Sequence, residues 1–116
     1  MLTFICYPKC TTCKGAQKWL DSRKAEYETR DIKTDNPTYE EVAQWYRRSG
    51  LPLKKFFNTS GLLYKSLALK DKLPGMSEEE QLRLLATDGM LVKRPLLIGG
   101  ELVLVGFDET KWSDAL

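Results

Sequence analysis

The stretch of sequence that decides the fold runs from residue 2 to residue 20 and reads LTFICYPKCTTCKGAQKWL. Its first part, residues 2–7, is mostly apolar and aromatic, which predicts a β-strand. A short turn then leads into a predicted helix that begins near Thr11. Two cysteines, Cys10 and Cys13, lie where the strand gives way to the helix.

The position of Cys10 at a helix start predicts an acidic, nucleophilic thiol. Backbone N–H groups without partners and the positive end of the helix dipole both favour a thiolate there. Cys13 follows about one helical turn later, within reach of a sulfur atom attached to Cys10. The pair therefore predicts redox chemistry in which Cys10 attacks a disulfide and Cys13 resolves the mixed disulfide.

Two other interpretations of the cysteine pair are open. A CxxC can be half of a zinc site, but the chain has no histidine, and Cys6 is its only other cysteine. The pair could also be a structural disulfide or two inert thiols. We favour redox chemistry, predict no metal, and expect Cys6, which falls inside an apolar strand, to be a buried, inert thiol.

Composition narrows the class of protein. The chain has 116 residues, of which 42% are hydrophobic, and this predicts a single domain over residues 1–116. A net charge of +2 gives little reason to expect binding to nucleic acid or to an anionic membrane. No apolar run approaches the ~20 residues that span a bilayer, and no secretory signal is evident. An odd number of cysteines does not suit a disulfide-stapled secreted protein, so we expect a cytoplasmic one.

The absence of histidine excludes whole classes of reaction. Neither a Ser-His-Asp triad nor a Cys-His pair can be built from this chain. Any nucleophile must be activated by a helix dipole, a lysine, an arginine or a carboxylate, which again directs attention to Cys10.

The remaining strands are predicted on both sides of a helical region. Residues 27–32 alternate in polarity and predict a second strand, which completes a right-handed parallel βαβ unit. Near the C terminus, apolar runs at residues 96–98 and 102–105 flank a Gly-Gly pair and predict a β-hairpin. A short last helix, capped by Asp108, is expected to follow.

Between these parts we predict a block of helices over about residues 37–89. Capping boxes of a Ser or Thr followed three residues later by Glu mark two helix starts, at Thr38 and Ser77. The other predicted features of the block are a short helix over residues 62–69 and helix ends at Gly50 and Gly89.

The predicted order is β-α-β, a block of helices, then β-β-α. This is the thioredoxin order, so the expected fold is α/β and thioredoxin-like, with an inserted helical block. Such folds place a cis-proline at the start of the third strand, facing the active cysteine, and Pro95 after Arg94 falls at that place. A trans proline at the first residue of a strand is the alternative.

The chain resembles the arsenate reductase/Spx family of thioredoxin-like proteins, and the resemblance covers essentially the whole sequence. The matching segments are residues 7–14 (YPKCTTCK), 57–61 (FNTSG), 64–65 (YK), 91–97 (LVKRPLL) and 105–107 (VGF). The intact cysteine pair is similar to the Spx-type motif.

The resemblance implies a cytoplasmic thiol protein, most simply a thiol–disulfide oxidoreductase or reductase acting on a small thiol or a protein disulfide. It implies no bound cofactor, with glutathione or a thioredoxin/glutaredoxin system as reductant. One alternative is a Spx-type redox-sensing regulator that binds the α subunit of RNA polymerase. Another is a glutathione- or thioredoxin-linked arsenate reductase. In each case we expect a monomer without direct nucleic-acid or membrane binding.

The resemblance also implies a set of site residues. Arg94 would face Cys10 and stabilise its thiolate or bind a small oxyanion, unless it is a solvated arginine at a strand edge. Lys9 and Lys14 could add positive potential, unless they too are simply exposed. The predicted substrate-binding residues are Lys9, Thr11, Thr12, Asn58 and Pro95.

Two departures from the family pattern bear on arsenate. Family members that reduce arsenate use several arginines around the oxyanion, whereas this chain has Asn58 at one such place. It also has Gly106 and Phe107 followed by the acidic Asp108 after the last strand. With Arg94 alone to hold a dianion, we expect arsenate reduction to be weak or absent.

Overall fold

The computed structural model describes residues 2–116. The contacts divide the chain into two compact units. The first joins the residues up to Asp31 with Arg94–Leu116, and the second is Ile32–Lys93.

The first unit contains one four-stranded sheet. Its strands are β1 (Leu2–Cys6), β2 (Tyr27–Asp31), β3 (Leu96–Gly99) and β4 (Leu102–Val105), in the spatial order β2-β1-β3-β4. The pairing of β1 with β2 is parallel, and β3 is antiparallel to both β1 and β4. This arrangement confirms the predicted βαβ unit and the predicted hairpin, although β1 and β2 each end one residue earlier than expected.

Two helices belong to the same unit, α1 (Thr11–Ser22) and α6 (Glu109–Ala115). Asp108 caps α6 as predicted, because its side chain accepts a hydrogen bond from the N–H of Lys111 at 3.1 Å. Apolar residues from the sheet and from both helices form a buried core, which comprises Phe4, Ala16, Leu20, Leu97 and Trp112. Because α1 connects the parallel strands β1 and β2 and packs on the sheet through this core, its first residues lie next to the end of β1.

The second unit is helical. It holds α2 (Tyr39–Ser49), α3 (Leu62–Ser66), α4 (Leu69–Lys72) and α5 (Glu78–Leu85), with 3₁₀ turns at Leu53–Phe56, Leu73–Gly75 and Gly89–Leu91. Both predicted capping boxes are present, at Thr38 and at Ser77. Gly50 ends α2 in the left-handed conformation with φ of 68°, also as predicted.

Two local predictions in this unit are wrong. The helix expected over residues 62–69 is broken in two, because Ala68 adopts the left-handed conformation with φ of 53°. Gly89 does not end a helix, since α5 stops at Leu85. A Cβ atom at position 89 would clash with the carbonyl oxygen of Ile32, so glycine is needed for this close approach of two backbone segments.

None of the helices within residues 2–116 is both long and apolar enough to cross a membrane.

Candidate active site at the β1–α1 junction

Cys10 is the N-cap residue of α1, with extended backbone angles (φ −88°, ψ 122°). Its N–H donates to the carbonyl of Tyr7 at 2.9 Å, and its own carbonyl accepts from the N–H of Lys14 at 3.1 Å. The first turn of α1 contains no acidic residue. The partial positive charge of this helix end therefore meets the Cys10 thiol without a competing carboxylate.

The surroundings of Cys10 favour its ionised form. Burial raises the pKa of this thiol, but hydrogen bonds from the backbone and side chain of Cys13, a hydrogen bond from Arg94 and the charge of Arg94 outweigh that effect. The net result is a pKa below the ordinary value of 9.0. Within the described residues, the Cys10 sulfur does not cap α1 through a hydrogen bond of regular geometry. The Cys13 N–H nevertheless lies near enough to lower the pKa of Cys10.

Arg94 reaches this thiol from the other end of the chain. The peptide bond between Arg94 and Pro95 is cis, as predicted, and Pro95 is buried just before β3. The guanidinium lies over the ring of Tyr7, with its central carbon 5.2 Å from the ring centroid. Two of its nitrogens, Nε and Nη1, are buried and have no hydrogen-bond partner within residues 2–116. Arg94 is therefore not a solvated arginine at a strand edge.

Cys13 lies in the opposite environment. Its side chain is 2% exposed, and its sulfur accepts a hydrogen bond from the backbone N–H of Tyr7 at 3.4 Å. Burial raises the pKa of Cys13, and the neighbouring Cys10 adds to the effect against the opposing Tyr7 hydrogen bond, so that the pKa reaches about 12. The two thiols of one motif thus differ strongly in acidity, with Cys10 the more acidic.

Cys6, on β1, is a third free thiol, like Cys10 and Cys13. The prediction that it is buried is wrong, because Cys6 is only partly buried and packs at the margin of the core. Cys6 is the last residue of β1, after the fully buried Phe4 and Ile5, so the core covers it only in part. Burial, Asp31 and Cys10 raise the pKa of the Cys6 thiol, in that order, so it is less reactive than Cys10.

Four of the five predicted substrate-binding residues, all except Asn58, belong to the first unit. Lys9 is exposed just before Cys10, and Thr11 and Thr12 are exposed in the first turn of α1. Thr11 also lines an open groove of about 510 Å³ along α1, together with Lys14. Lys9 and Lys14 are both exposed, and the positive potential expected of them, like the expected part of Lys9 in substrate binding, stays a prediction.

Asn58 belongs to the second unit, where it forms part of a turn. Its N–H donates to the carbonyl of Leu91 at 2.8 Å, and its carbonyl accepts from the N–H of Gly61 at 3.0 Å. Both hydrogen bonds are made by the backbone of Asn58, so they hold the turn without involving its side chain. A role in binding substrate stays a prediction.

No group of three His, Cys, Asp or Glu side chains in residues 2–116 is arranged to hold a metal ion. What the arrangement offers instead is an acidic thiol beside a cation, with a second, protonated thiol one turn away. That combination suits nucleophilic attack on a sulfur atom followed by intramolecular exchange.

Tyr7 was missed by the sequence analysis as a member of this site. It contacts Arg94 through its ring, Cys13 through its N–H and Cys10 through its carbonyl. The available signal was an aromatic residue at the end of a strand, directly before the turn that carries the cysteine motif.

Comparison with known proteins places this site in a family. The family model described as the ArsC family matches residues 6–115. The chain is 54% identical over 113 residues to uncharacterized protein YusI of Bacillus subtilis, with 97% of this chain and 96% of that protein covered. The crystal structure of a possible arsenate reductase from Streptococcus mutans is 47% identical and superposes with a TM-score of 0.91, over 99% of this chain and 97% of that one.

The chain is also similar, at lower sequence identity, to transcriptional regulators. The global transcriptional regulator Spx of Streptococcus agalactiae is 24% identical over 109 residues, with 94% of this chain and 78% of that protein covered. The similarity to solved structures confirms the thioredoxin-like fold.

Proposed function

Since this chain belongs to the ArsC family, with relatives that include Spx regulators, we propose that it is a thiol–disulfide oxidoreductase with Cys10 as nucleophile and Cys13 as resolving thiol. The single observation that carries the proposal is the contrast between two thiols of one motif, since Cys10 is the N-cap residue of α1 whereas Cys13 is 2% exposed and its sulfur accepts the N–H of Tyr7. The pKa of Cys10 is lowered and that of Cys13 is raised to about 12.

The first step uses the Cys10 thiolate. It attacks one sulfur of a substrate disulfide, a new bond forms between the Cys10 sulfur and that atom, and the other substrate sulfur leaves as a thiolate. Arg94 and the helix dipole raise the fraction of Cys10 that is present as thiolate. Because a low pKa also reduces intrinsic nucleophilicity, the gain comes from the larger thiolate fraction.

The second step uses Cys13, which must lose its proton. Part of the rise in its pKa comes from the neighbouring Cys10, and a mixed disulfide on Cys10 carries no such charge. The Tyr7 N–H, which favours the Cys13 thiolate, remains in place. Cys13 then attacks the Cys10 sulfur and expels the second substrate thiolate. The pair of Cys10 and Cys13 has then given two electrons to the substrate. The proton that Cys13 lost passes to solvent or to the leaving thiolate.

The resulting disulfide between Cys10 and Cys13 has to be reduced for another cycle. Glutathione or a dithiol protein of the thioredoxin or glutaredoxin class can supply the two electrons. A reducing cytoplasm, which we propose as the location of the protein, contains such reductants.

Turnover can be tested with a glutathione mixed disulfide as substrate. The purified protein is supplied with a thioredoxin or glutaredoxin system, and NADPH consumption is followed. We expect the wild type to raise NADPH consumption above that of the reducing system alone, and Cys10→Ser to add nothing to it. Cys13→Ser should be trapped as a mixed disulfide on Cys10, which mass spectrometry of the intact protein identifies. Cys6→Ser is the matched control and should turn over like the wild type.

A regulatory role is the second candidate, and the similarity to Spx favours it. In that case oxidation of the same cysteine pair would change binding to a protein partner, which the resemblance suggests is the RNA polymerase α subunit. A pull-down with purified α subunit, using the reduced and oxidised protein separately, distinguishes the two. Redox-dependent retention without mixed-disulfide turnover would favour the regulator.

Arsenate reduction is the third candidate, favoured by the similarity to the possible arsenate reductase of Streptococcus mutans. We propose that this activity is weak or absent. Arg94 is the cation that acts on Cys10, and the loss of one charge-stabilising donor typically lowers a rate by about 100-fold or more. Robust arsenate turnover by the wild type that is lost in Cys10→Ser would contradict this and make the protein an arsenate reductase.

A further inference from the structure

Tyr7 contacts three other residues of the site, which are Cys10, Cys13 and Arg94. It directly follows β1, its ring is partly exposed, and its backbone enters the turn that carries the cysteine motif. Its carbonyl accepts the N–H of Cys10 at 2.9 Å, and its N–H donates to the sulfur of Cys13 at 3.4 Å. These backbone contacts fix the start of α1 whatever side chain is present at position 7.

The side chain of Tyr7 has a separate contact. The guanidinium carbon of Arg94 lies 5.2 Å from the centre of the Tyr7 ring, within the distance at which a cation is attracted to an aromatic face. The Nε and Nη1 atoms of Arg94 are withdrawn from solvent and lack a hydrogen-bond acceptor within the described residues. A cation in that state would ordinarily be expelled toward water unless another contact offsets its desolvation.

We propose that Tyr7 is a positioning residue, whose ring holds the Arg94 guanidinium beside the Cys10 thiolate. This inference rests on the proposed role of Cys10 and deepens it. The ring face attracts the guanidinium and takes the place of the missing acceptors on two of its nitrogens. The group is then kept in an orientation from which it can hydrogen-bond the Cys10 sulfur. The Tyr7 side chain acts through Arg94, whereas the contact with the Cys13 sulfur is made by the backbone N–H of Tyr7.

An alternative role for the ring is to pack against the backbone of the turn and keep it folded. Such a role would depend on the size of the side chain and would be independent of Arg94. The two roles therefore differ in a measurable way, because only the positioning role disappears when Arg94 is removed.

The test measures how fast iodoacetamide alkylates Cys10 between pH 5 and pH 9, in a background that carries Cys6→Ser. We expect Tyr7→Leu to shift the pH midpoint upward and to slow alkylation at pH 6 by about 2- to 3-fold. Tyr7→Phe, which keeps the ring, should behave like the parent. Combined with Arg94→Ala, the Tyr7→Leu change should have no further effect.

A second series keeps the shape of the side chain and so does not depend on the folding of Tyr7→Leu. Phenylalanine with one, two or three ring fluorines at position 7 weakens the attraction of the ring for a cation step by step. We expect the alkylation midpoint to rise with each fluorine.

Three results would overturn the inference. These are an unchanged midpoint in both Tyr7→Leu and the fluorinated series, an equal shift in Tyr7→Phe and Tyr7→Leu, or a full effect of Tyr7→Leu when Arg94 is already alanine. Because alkylation needs no substrate or reductase, the assay can support Tyr7 even if mixed-disulfide turnover is never found.

Discussion

The three longest helices of the described residues, α1, α2 and α5, begin in two contrasting ways. The helices α2 and α5 each start with a complete capping box, and each has acidic residues in its first turn. The helix α1 starts at Cys10 with no regular side-chain cap and no acidic residue in its first turn. The first arrangement satisfies the free N–H groups and the dipole with the protein's own oxygen atoms.

The difference shows how much stability a helix gives up when its first turn holds a reactive thiol and no capping box. A capping box at α1 would stabilise the helix by about 0.5–2 kcal/mol, but its carboxylate would repel a thiolate at the same place. At α1 a sulfur atom takes the position of the capping oxygen. Stability comes instead from the core residues Ala16 and Leu20, on the buried face of the helix.

Replacing Cys10 or Cys13 singly should have the largest effect on the chemistry that separates α1 from the capped helices. We expect Cys10→Ser to lose alkylation at pH 6 and disulfide exchange down to background, because no other described thiol has a lowered pKa. Cys13→Ser should keep rapid alkylation at position 10 and lose the intramolecular disulfide. Peptide mapping after brief alkylation checks both. First labelling of Cys13 or Cys6 in the wild type would contradict the assignment.

Loss of the arginine should have the next largest effect. Arg94→Ala removes both a hydrogen bond and a positive charge from Cys10, so the pKa of Cys10 should rise and alkylation at pH 6 should slow by about 3- to 10-fold. The matched control is Arg23→Ala, since Arg23 also stacks on an aromatic ring, that of Trp19, at 4.7 Å. Equal rates in the wild type and Arg94→Ala would make Arg94 a structural residue.

An acidic residue in the first turn should make α1 more like the other helices. Thr12 is exposed there, and Thr12→Glu places a carboxylate near the helix start. We expect alkylation of Cys10 at pH 6 to slow by about 2-fold, with thermal stability unchanged or slightly higher. Thr12→Gln has the same size without the charge and should leave the rate unchanged. An equal effect of both variants would indicate that Thr12 acts by its shape.

Removal of a cap should affect stability without touching the chemistry. Ser77→Ala and Thr38→Ala each delete a side-chain oxygen that accepts an N–H at 3.1 Å. We expect each to lower the free energy of unfolding by about 1 kcal/mol in denaturant titrations. The alkylation rate of Cys10 should stay at the wild-type value. A change in that rate would mean that the capped helix starts and the cysteine helix start are not independent.

Much of this fold could be predicted because its signals are local. The capping boxes, the Gly50 helix end, the alternation of β2 and the Gly-Gly hairpin each depend on a few adjacent residues. The pair Cys10 and Cys13 was equally visible, because the spacing alone places both sulfurs at one helix start. The predicted thioredoxin order added the cis bond to Pro95, and the family resemblance added Arg94.

The features that were missed depend on contacts between distant residues. The role of Tyr7 requires Arg94 to cover its ring, which the pairing of β1 with β3 brings about. The need for glycine at position 89 comes from the backbone of Ile32 and not from the end of a helix. The break at Ala68 has no glycine or asparagine to announce its left-handed conformation.

The most direct test of the central claim is a pH titration of thiolate absorbance in the ultraviolet, on the wild type and on single Cys→Ser variants at positions 6, 10 and 13. We predict one ionisation below pH 9.0 in the wild type. That ionisation should persist in Cys6→Ser and Cys13→Ser and vanish in Cys10→Ser. If it persists without Cys10, or vanishes without Cys13 alone, then Cys10 is not the activated thiol and the proposed mechanism is wrong.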